Sequence, residues 1–162
     1  MKVHCRRMTK PRLRDAERLL SSFLGSDPHY LIVSAAYGDQ GPEALRRALA
    51  LFLRRKDLGF IWLAYDAEEP VAACVVSYAI STSIGGLVAK LDDVCVLPQF
   101  QRRGVATEML QALIKELKRQ NVGRIDTSVH KRNFDAARYY KKMGFKPLGE
   151  DRLARLLGAD GG

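Results

Sequence analysis

Three runs rich in β-branched and aromatic residues, 60–65, 71–80 and 87–97, follow one another with only short polar stretches between them. Residues 66–69, Asp-Ala-Glu-Glu, read as a hairpin turn, and 81–86, Ser-Thr-Ser-Ile-Gly-Gly, as a loop. Strands joined this tightly pair antiparallel, because a parallel return needs a crossover of a dozen residues or more. That crossover comes next. Val105, Met109, Leu113 and Leu117 recur every four residues and predict a long helix from Gly104 to about Asn121, broken by Gly123. A strand over 124–130, a helix over 133–143 and the start of a last strand over 145–148 follow. A meander leading into β-α-β units specifies a mixed sheet with helices on both faces.

Upstream, residues 2–8 read as a strand that enters a helix near Pro11, where Leu13, Ala16, Leu20, Phe23 and Leu24 recur at helical spacing until Gly25. Residues 30–37 read as a helix or part of a substrate lid. Gly41-Pro42-Glu43 opens a clearer helix, with Leu45, Ala48, Leu49, Phe52 and Leu53 on one stripe and Gly59 as its stop. The order β-α-α-β-β-β-α-β-α-β describes an α/β (α+β) chain. Its 162 residues suit one domain, 1–157, with a flexible Gly-rich tail at 158–162.

Composition removes several function classes. With 47% hydrophobic and 28% charged residues the chain is not disordered. Its longest apolar runs, 48–53 and 71–76, fall far short of the roughly 20 residues that span a bilayer. The start, Met-Lys-Val-His-Cys-Arg-Arg, lacks the apolar stretch of a secretory signal, so a cytoplasmic protein without membrane partners is expected. Cys5, Cys74 and Cys95 are odd in number and widely spaced, and His4, His29 and His130 have no ligand spacing, so neither disulfide nor metal is expected.

The net charge of +9 is concentrated: residues 102–146 carry twelve Lys/Arg against four Asp/Glu. Such a surplus suits an anionic partner, or equally a solvated basic face. The aromatic–basic pattern of RNA-binding surfaces is missing, so no specific nucleic acid is expected. The site of charge becomes specific at Leu97-Pro-Gln-Phe-Gln101-Arg-Arg-Gly104-Val-Ala106, where a strand ends and a long helix opens on small residues. Unpaired N–H groups and the positive dipole end make such a start a phosphate site. Gly104 and Ala106 let a ligand approach the backbone, and Arg102 and Arg103 supply bidentate partners.

Gln101-Arg-Arg-Gly-Val-Ala106 resembles the [QR]-x-x-G-x-[GA] pyrophosphate loop of the GNAT superfamily of acetyl-CoA-dependent N-acetyltransferases. Asn133-Phe-Asp-Ala136-Ala-Arg-Tyr-Tyr140-Lys-Lys-Met-Gly144-Phe145 is similar to its second signature, N-x-x-A-x-x-x-Y-x-x-x-G-F. The resemblance implies the GNAT fold, a mixed and mostly antiparallel sheet of about six to seven strands flanked by about four helices. It implies acetyl-CoA as acyl donor and direct transfer to an amine. Backbone groups of Cys95 and Val96 would bond the pantetheine arm. The backbone of Gln101, Arg102, Arg103, Gly104, Val105, Ala106 and Thr107 would cradle the pyrophosphate. Asn133 would reach the cofactor, and Tyr140 would protonate the leaving thiolate. Homodimerisation is common in the family.

The acceptor amine must lose a proton, so a carboxylate or a water wire is expected near it. Asp92 and Asp93 are adjacent on a strand and so should point to opposite faces, one of them partly buried with a partner: a substrate amine, Lys90 or an Arg. The strand is similar to that of the diamine acetyltransferases. Each residue also has a bland reading: Asn133 as a helix cap, Tyr139 and Tyr140 as core aromatics, Cys95 as a packing residue. A small-molecule acceptor, whether polyamine, aminoglycoside or amino-acid-like, is expected in a pocket built from residues 20–60 and 81–86. The alternatives are a lysine or N-terminal protein acetyltransferase and a non-catalytic CoA-binding module.

Overall fold

The computed structural model describes residues 1–31 and 40–158. The expected helix or lid at 30–37 lies outside them from residue 32 onward, as do residues 159–162 of the expected tail. In chain order the elements are β1 (His4–Arg7), a 3-10 turn (Lys10–Arg12), α1 (Leu13–Leu24), a helical stretch at 28–31, and α2 (Pro42–Arg54). Then come β2 (Gly59–Asp66), β3 (Glu69–Ser81), β4 (Gly86–Val96), a second 3-10 turn (Pro98–Phe100), α3 (Val105–Arg119), β5 (Ile125–Thr127) and α4 (Phe134–Lys142).

The sheet has order β1-β2-β3-β4-β5, antiparallel throughout except where β5 runs parallel to β4. The meander is as the sequence predicts, and α3 is the crossover that makes the last pair parallel. Strand β2 is buried along nearly its whole length because both faces are covered. Phe60, Trp62 and Ala64 pack with Val105, Met109, Leu113 and Leu117 of α3, and Trp62 Nε1 donates to Met109 O at 3.3 Å. Ile61, Leu63 and Tyr65 pack on the opposite face with Ala16, Leu19 and Leu20 of α1 and Leu49 of α2. Each fully buried Leu or Ile contributes about 1.5–3 kcal/mol by leaving water.

Five strands are described rather than six to seven, and the helical segments number five when 28–31 is counted. Residues 145–148 form no strand. Pro147 has no N–H to give a ladder, Leu148 is exposed, and the turn before them is committed to capping α4. Gly144, at φ +91°, donates to Lys141 O, and Phe145 N–H donates to Tyr140 O. This 5→2 and 6→1 pair is a Schellman cap. The strand expected over 124–130 shrinks to Ile125–Thr127, and α3 ends at Arg119, with a left-handed Asn121 rather than Gly123 making the turn after it.

The largest departure is in β4. Ala73 pairs with Cys95 but Val75 pairs with Asp92, so β4 holds one residue more than β3 across this step. Asp93 sits there at φ +49°, a left-handed conformation that Asp tolerates better than most side chains. The bulge inverts the alternation. Before it, Ala89 and Leu91 face α3; after it, Val94 and Val96 do, and Cys95 turns to α1 and α2. Asp92 and Asp93 therefore do not point to opposite faces, and both line one cavity.

Candidate active site

Pairing between β4 and β5 stops at Leu91 and Thr127, where Thr127 Oγ1 donates to Leu91 O at 3.0 Å. β4 runs on to Val96 without β5 beside it, so the two strands part like the arms of a V. A cavity of about 360 Å³ lies at the opening. Leu91 to Val94 form one wall, Thr127 to His130 and the Asn133, Ala136 and Tyr140 positions another. Phe23, Asp27, His29, Tyr30 and Arg152 close the far side. The 81–86 loop takes no part; it lies at the other end of β4, where Ile84 packs over Gly123.

Tyr140 is positioned by the cap that ends its helix. Phe145, folded back by the left-handed Gly144, sets its ring 5.2 Å from the Tyr140 ring at 69°. The Y-x-x-x-G-F spacing is thus a backbone turn that holds an aromatic hydroxyl in place. Burial pushes the Tyr140 phenol up to about 12, with the Thr127 hydroxyl acting the other way, so it stays protonated at neutral pH. Asn133 does cap α4, its Oδ1 accepting from Ala136 N–H at 3.1 Å, and the residue also lines the cavity.

The two carboxylates differ. Asp92 pairs with Lys90 Nζ at 3.1 Å, the plain structural partner anticipated for one of them. Burial raises Asp93 to about 6, and the neighbouring Asp92 charge adds to the rise. It remains mostly ionised at pH 7 and so can still accept a proton.

Beyond the C-terminal end of β4, Gly104 caps α3 in a left-handed conformation at φ +82°, and a side chain there would project into open space. No side chain caps the helix, and its first i→i−4 bond is the one from Glu108 N–H to Gly104 O. The N–H groups of Val105, Ala106 and Thr107 therefore precede any intrahelical partner. Gln101, Arg102 and Arg103 are exposed around them. This donor set, cationic and shaped from backbone N–H groups, fits a pyrophosphate. Gln101 Nε2 donates to Val96 O at 3.1 Å, tying the loop to the strand end.

Leu97 N–H donates to Val71 O, so the backbone of Leu97, and by alternation that of Cys95, faces β3. The polar groups of Val96 look toward the V. Of the two residues assigned to a pantetheine arm, Val96 is turned that way and Cys95 is not. The Cys95 thiol donates to Leu19 O, and burial pushes it up to about 12. Cys5 is raised to about 11 and Cys74 also upward, chiefly by burial, so none of the three is a thiolate nucleophile.

Sequence reasoning placed the acceptor pocket in 20–60 without singling out Asp27, His29 or Tyr30, and it missed Thr127 and Arg152 at the cavity. Asp27-Pro28 carried a signal, a capping residue followed by Pro, and Asp27 Oδ1 indeed accepts from Tyr30 N–H at 2.7 Å. Tyr30 opens the stretch expected as a helix or lid, and Thr127 and Arg152 carried no signal. Among the described residues no cluster of three His, Cys, Asp or Glu could hold a metal ion, and no helix is long and apolar enough to cross a membrane.

The model of the acetyltransferase (GNAT) family matches residues 17–145. A solved probable acetyltransferase superposes with TM-score 0.77 at 24% identity, covering 97% of this chain and 99% of its own. The aminoglycoside acetyltransferase AAC(6')-Iy, solved with the bisubstrate analogue CoA-S-monomethyl-acetylneamine, gives 0.74 at 17% identity, covering 98% and 100%. A predicted acetyltransferase from Clostridium acetobutylicum, solved with acetyl-CoA, gives 0.67 at 20% identity, covering 94% and 96%. These likenesses establish the fold.

Proposed function

The chain belongs to the GNAT acetyltransferase family, and on that premise we propose that it transfers the acetyl group of acetyl-CoA directly to a primary amine of a small-molecule acceptor. The domain that does so is residues 1–157. Its setting is cytoplasmic, in keeping with three free cysteines. The observation that carries the reading is the V between β4 and β5, with a protonated Tyr140 and two aspartates at the same cavity.

The donor supplies an activated thioester. Val105, Ala106 and Thr107 N–H groups, with Gln101, Arg102, Arg103 and the open Gly104, hold its pyrophosphate at the start of α3. Val96 offers backbone bonds to the pantetheine arm, with Cys95 supporting the strand from below, and the Asn133 amide reaches the same arm. Asp92 or Asp93 takes a proton from the acceptor ammonium, which frees the nitrogen lone pair. As the C–N bond forms and the C–S bond breaks, Tyr140 O–H gives its proton to the departing sulfur. The second proton on the attacking nitrogen leaves through solvent and restores the phenol, and the aspartate releases its own to bulk water, so the net products are the amide, the thiol and one proton. With no thiolate at the site, a covalent acyl-enzyme has no nucleophile among the cysteines.

The test is mass spectrometry of purified protein with acetyl-CoA and a panel of polyamines, aminoglycosides, amino acids and lysine peptides. An acetylated amine is expected, and Tyr140→Phe should lower kcat about 10²–10⁴-fold with the KM for acetyl-CoA little changed. Bound acetyl-CoA with every amine unmodified would sink the proposal, as would full activity of the Tyr140→Phe protein across pH.

A further inference from the structure

Resting on that acetyltransferase reading, we propose that the chain acetylates itself: Lys90 Nζ is an acceptor for the acetyl group of its own bound acetyl-CoA. The transfer needs an amine, a carboxylate and a phenol, and this chain supplies one of each side by side. Lys90 Nζ stands 3.1 Å from Asp92 Oδ2. Asp92 lines the cavity in the V, and its charge acts on the Tyr140 hydroxyl. Lys90 acts on Asp93 as well, so its charge bears on both cavity carboxylates. The strand geometry aims the amine this way. Ala89 and Leu91 face α3, so Lys90 and Asp92 lie together on the opposite face of β4. Val75, across from Asp92 on β3, packs on that face and also lines the cavity. The carboxylate in register with Lys90 on β5 is Asp126, and Arg124 already holds it through hydrogen bonds of 2.7 and 3.0 Å. Lys90 therefore turns along the strand to Asp92, toward the place where β4 and β5 part.

Transfer to Lys90 balances with no reagent beyond the donor. One ammonium proton passes to Asp92, and the freed lone pair attacks the acetyl carbonyl. The C–N bond forms, the C–S bond breaks, and Tyr140 O–H gives its proton to the sulfur. The second nitrogen proton leaves through solvent and restores the phenol, while Asp92 releases its own to water. The products are acetyl-lysine, the thiol and one proton. The flexible lysine stem lets Nζ swing from Asp92 to the thioester without moving the strand. Holding amine and donor on one molecule raises the effective concentration of Lys90 far above that of lysines elsewhere. Position rather than exposure is therefore the signature. The Lys90 side chain is 38% exposed and that of Lys131 is 86% exposed, so unassisted acetylation would favour Lys131. Acetylation also removes the Lys90 charge and releases Asp92 from its ion pair.

The experiment incubates the purified chain with acetyl-CoA carrying an isotopically labelled acetyl group, adds no amine, and maps the label over all lysines by peptide mass spectrometry. Lys90 should be labelled about tenfold or more faster than Lys131, at a rate independent of protein concentration. Tyr140→Phe should slow labelling of Lys90 about 10²-fold or more with an unchanged melting temperature, and Lys90→Arg should remove the fast phase. An unlabelled acetyl group already on Lys90 of the wild-type chain, and missing from Tyr140→Phe, supports the inference in the same way. Label led by the exposed lysines, a rate at Lys90 that rises with protein concentration, or equal labelling in Tyr140→Phe each overturns it. So does a bare Lys90 in protein that acetylates an amine of the panel, and the acetyltransferase reading then stands. Bound acetyl-CoA with neither lysine nor amine acetylated removes the reading beneath it.

Discussion

The two halves of β4 share a strand but little else. Up to Leu91 it is paired with β3, from Ala89 it is paired with β5 as well, and Ala89 and Leu91 alternate toward α3. From Asp92 to Val96 it has lost β5, carries a left-handed residue and puts two carboxylates on one cavity. Ladder bonds and burial decide the first half. In the second, unpaired backbone and partly buried charge are left where a ligand can use them. Stability and chemistry are therefore separated within eleven residues.

Substitutions on the two sides of the bulge should test this division, since they are expected to differ in sign. Leu91→Ala empties a site only 2% exposed and should cost about 2–5 kcal/mol, read as a drop in the denaturant midpoint. Asp93→Asn should do the reverse. Burial holds the Asp93 carboxyl at about 6, above its unfolded value, so its ionised form costs stability at pH above 6. That cost is relieved as pH falls from 6 toward 4. The Asn protein, with a side chain that also tolerates the left-handed backbone, should gain up to about 3 kcal/mol at pH 7. The gain should vanish near pH 4, and a stability difference independent of pH would refute the charge explanation. Smallest is Thr127→Val at the point of the V. Loss of its bond to Leu91 O should cost about 1 kcal/mol, measured by chemical denaturation. A much larger loss would mean that the paired and open halves are one cooperative unit.

Legibility in the sequence follows the same boundary. The meander, α3 and α4 announce themselves because full pairing and two-sided burial impose periods of two and about 3.6. The α3 loop and Asn133 were visible as helix-start chemistry, and Tyr140 through its spacing to Gly144 and Phe145. The bulge was not visible, because no Gly or Pro marks it and alternation simply continues in the letters Asp-Asp-Val-Cys-Val. Position 145–148 looked like a strand on its apolar residues, and Pro147 was the overlooked warning. Asp27, His29 and Arg152 come from distant segments, and only the folded chain brings them to one wall.

The extra residue in β4 also bears on any attempt at transplantation. A strand with one uninterrupted phase can be exchanged piecemeal, since each position keeps its face whatever its neighbours become. Here the phase changes at Asp93, so residues 86–91 and 94–96 obey opposite rules of parity. A chimera cut anywhere between them must carry the whole junction, or every side chain downstream arrives on the wrong layer.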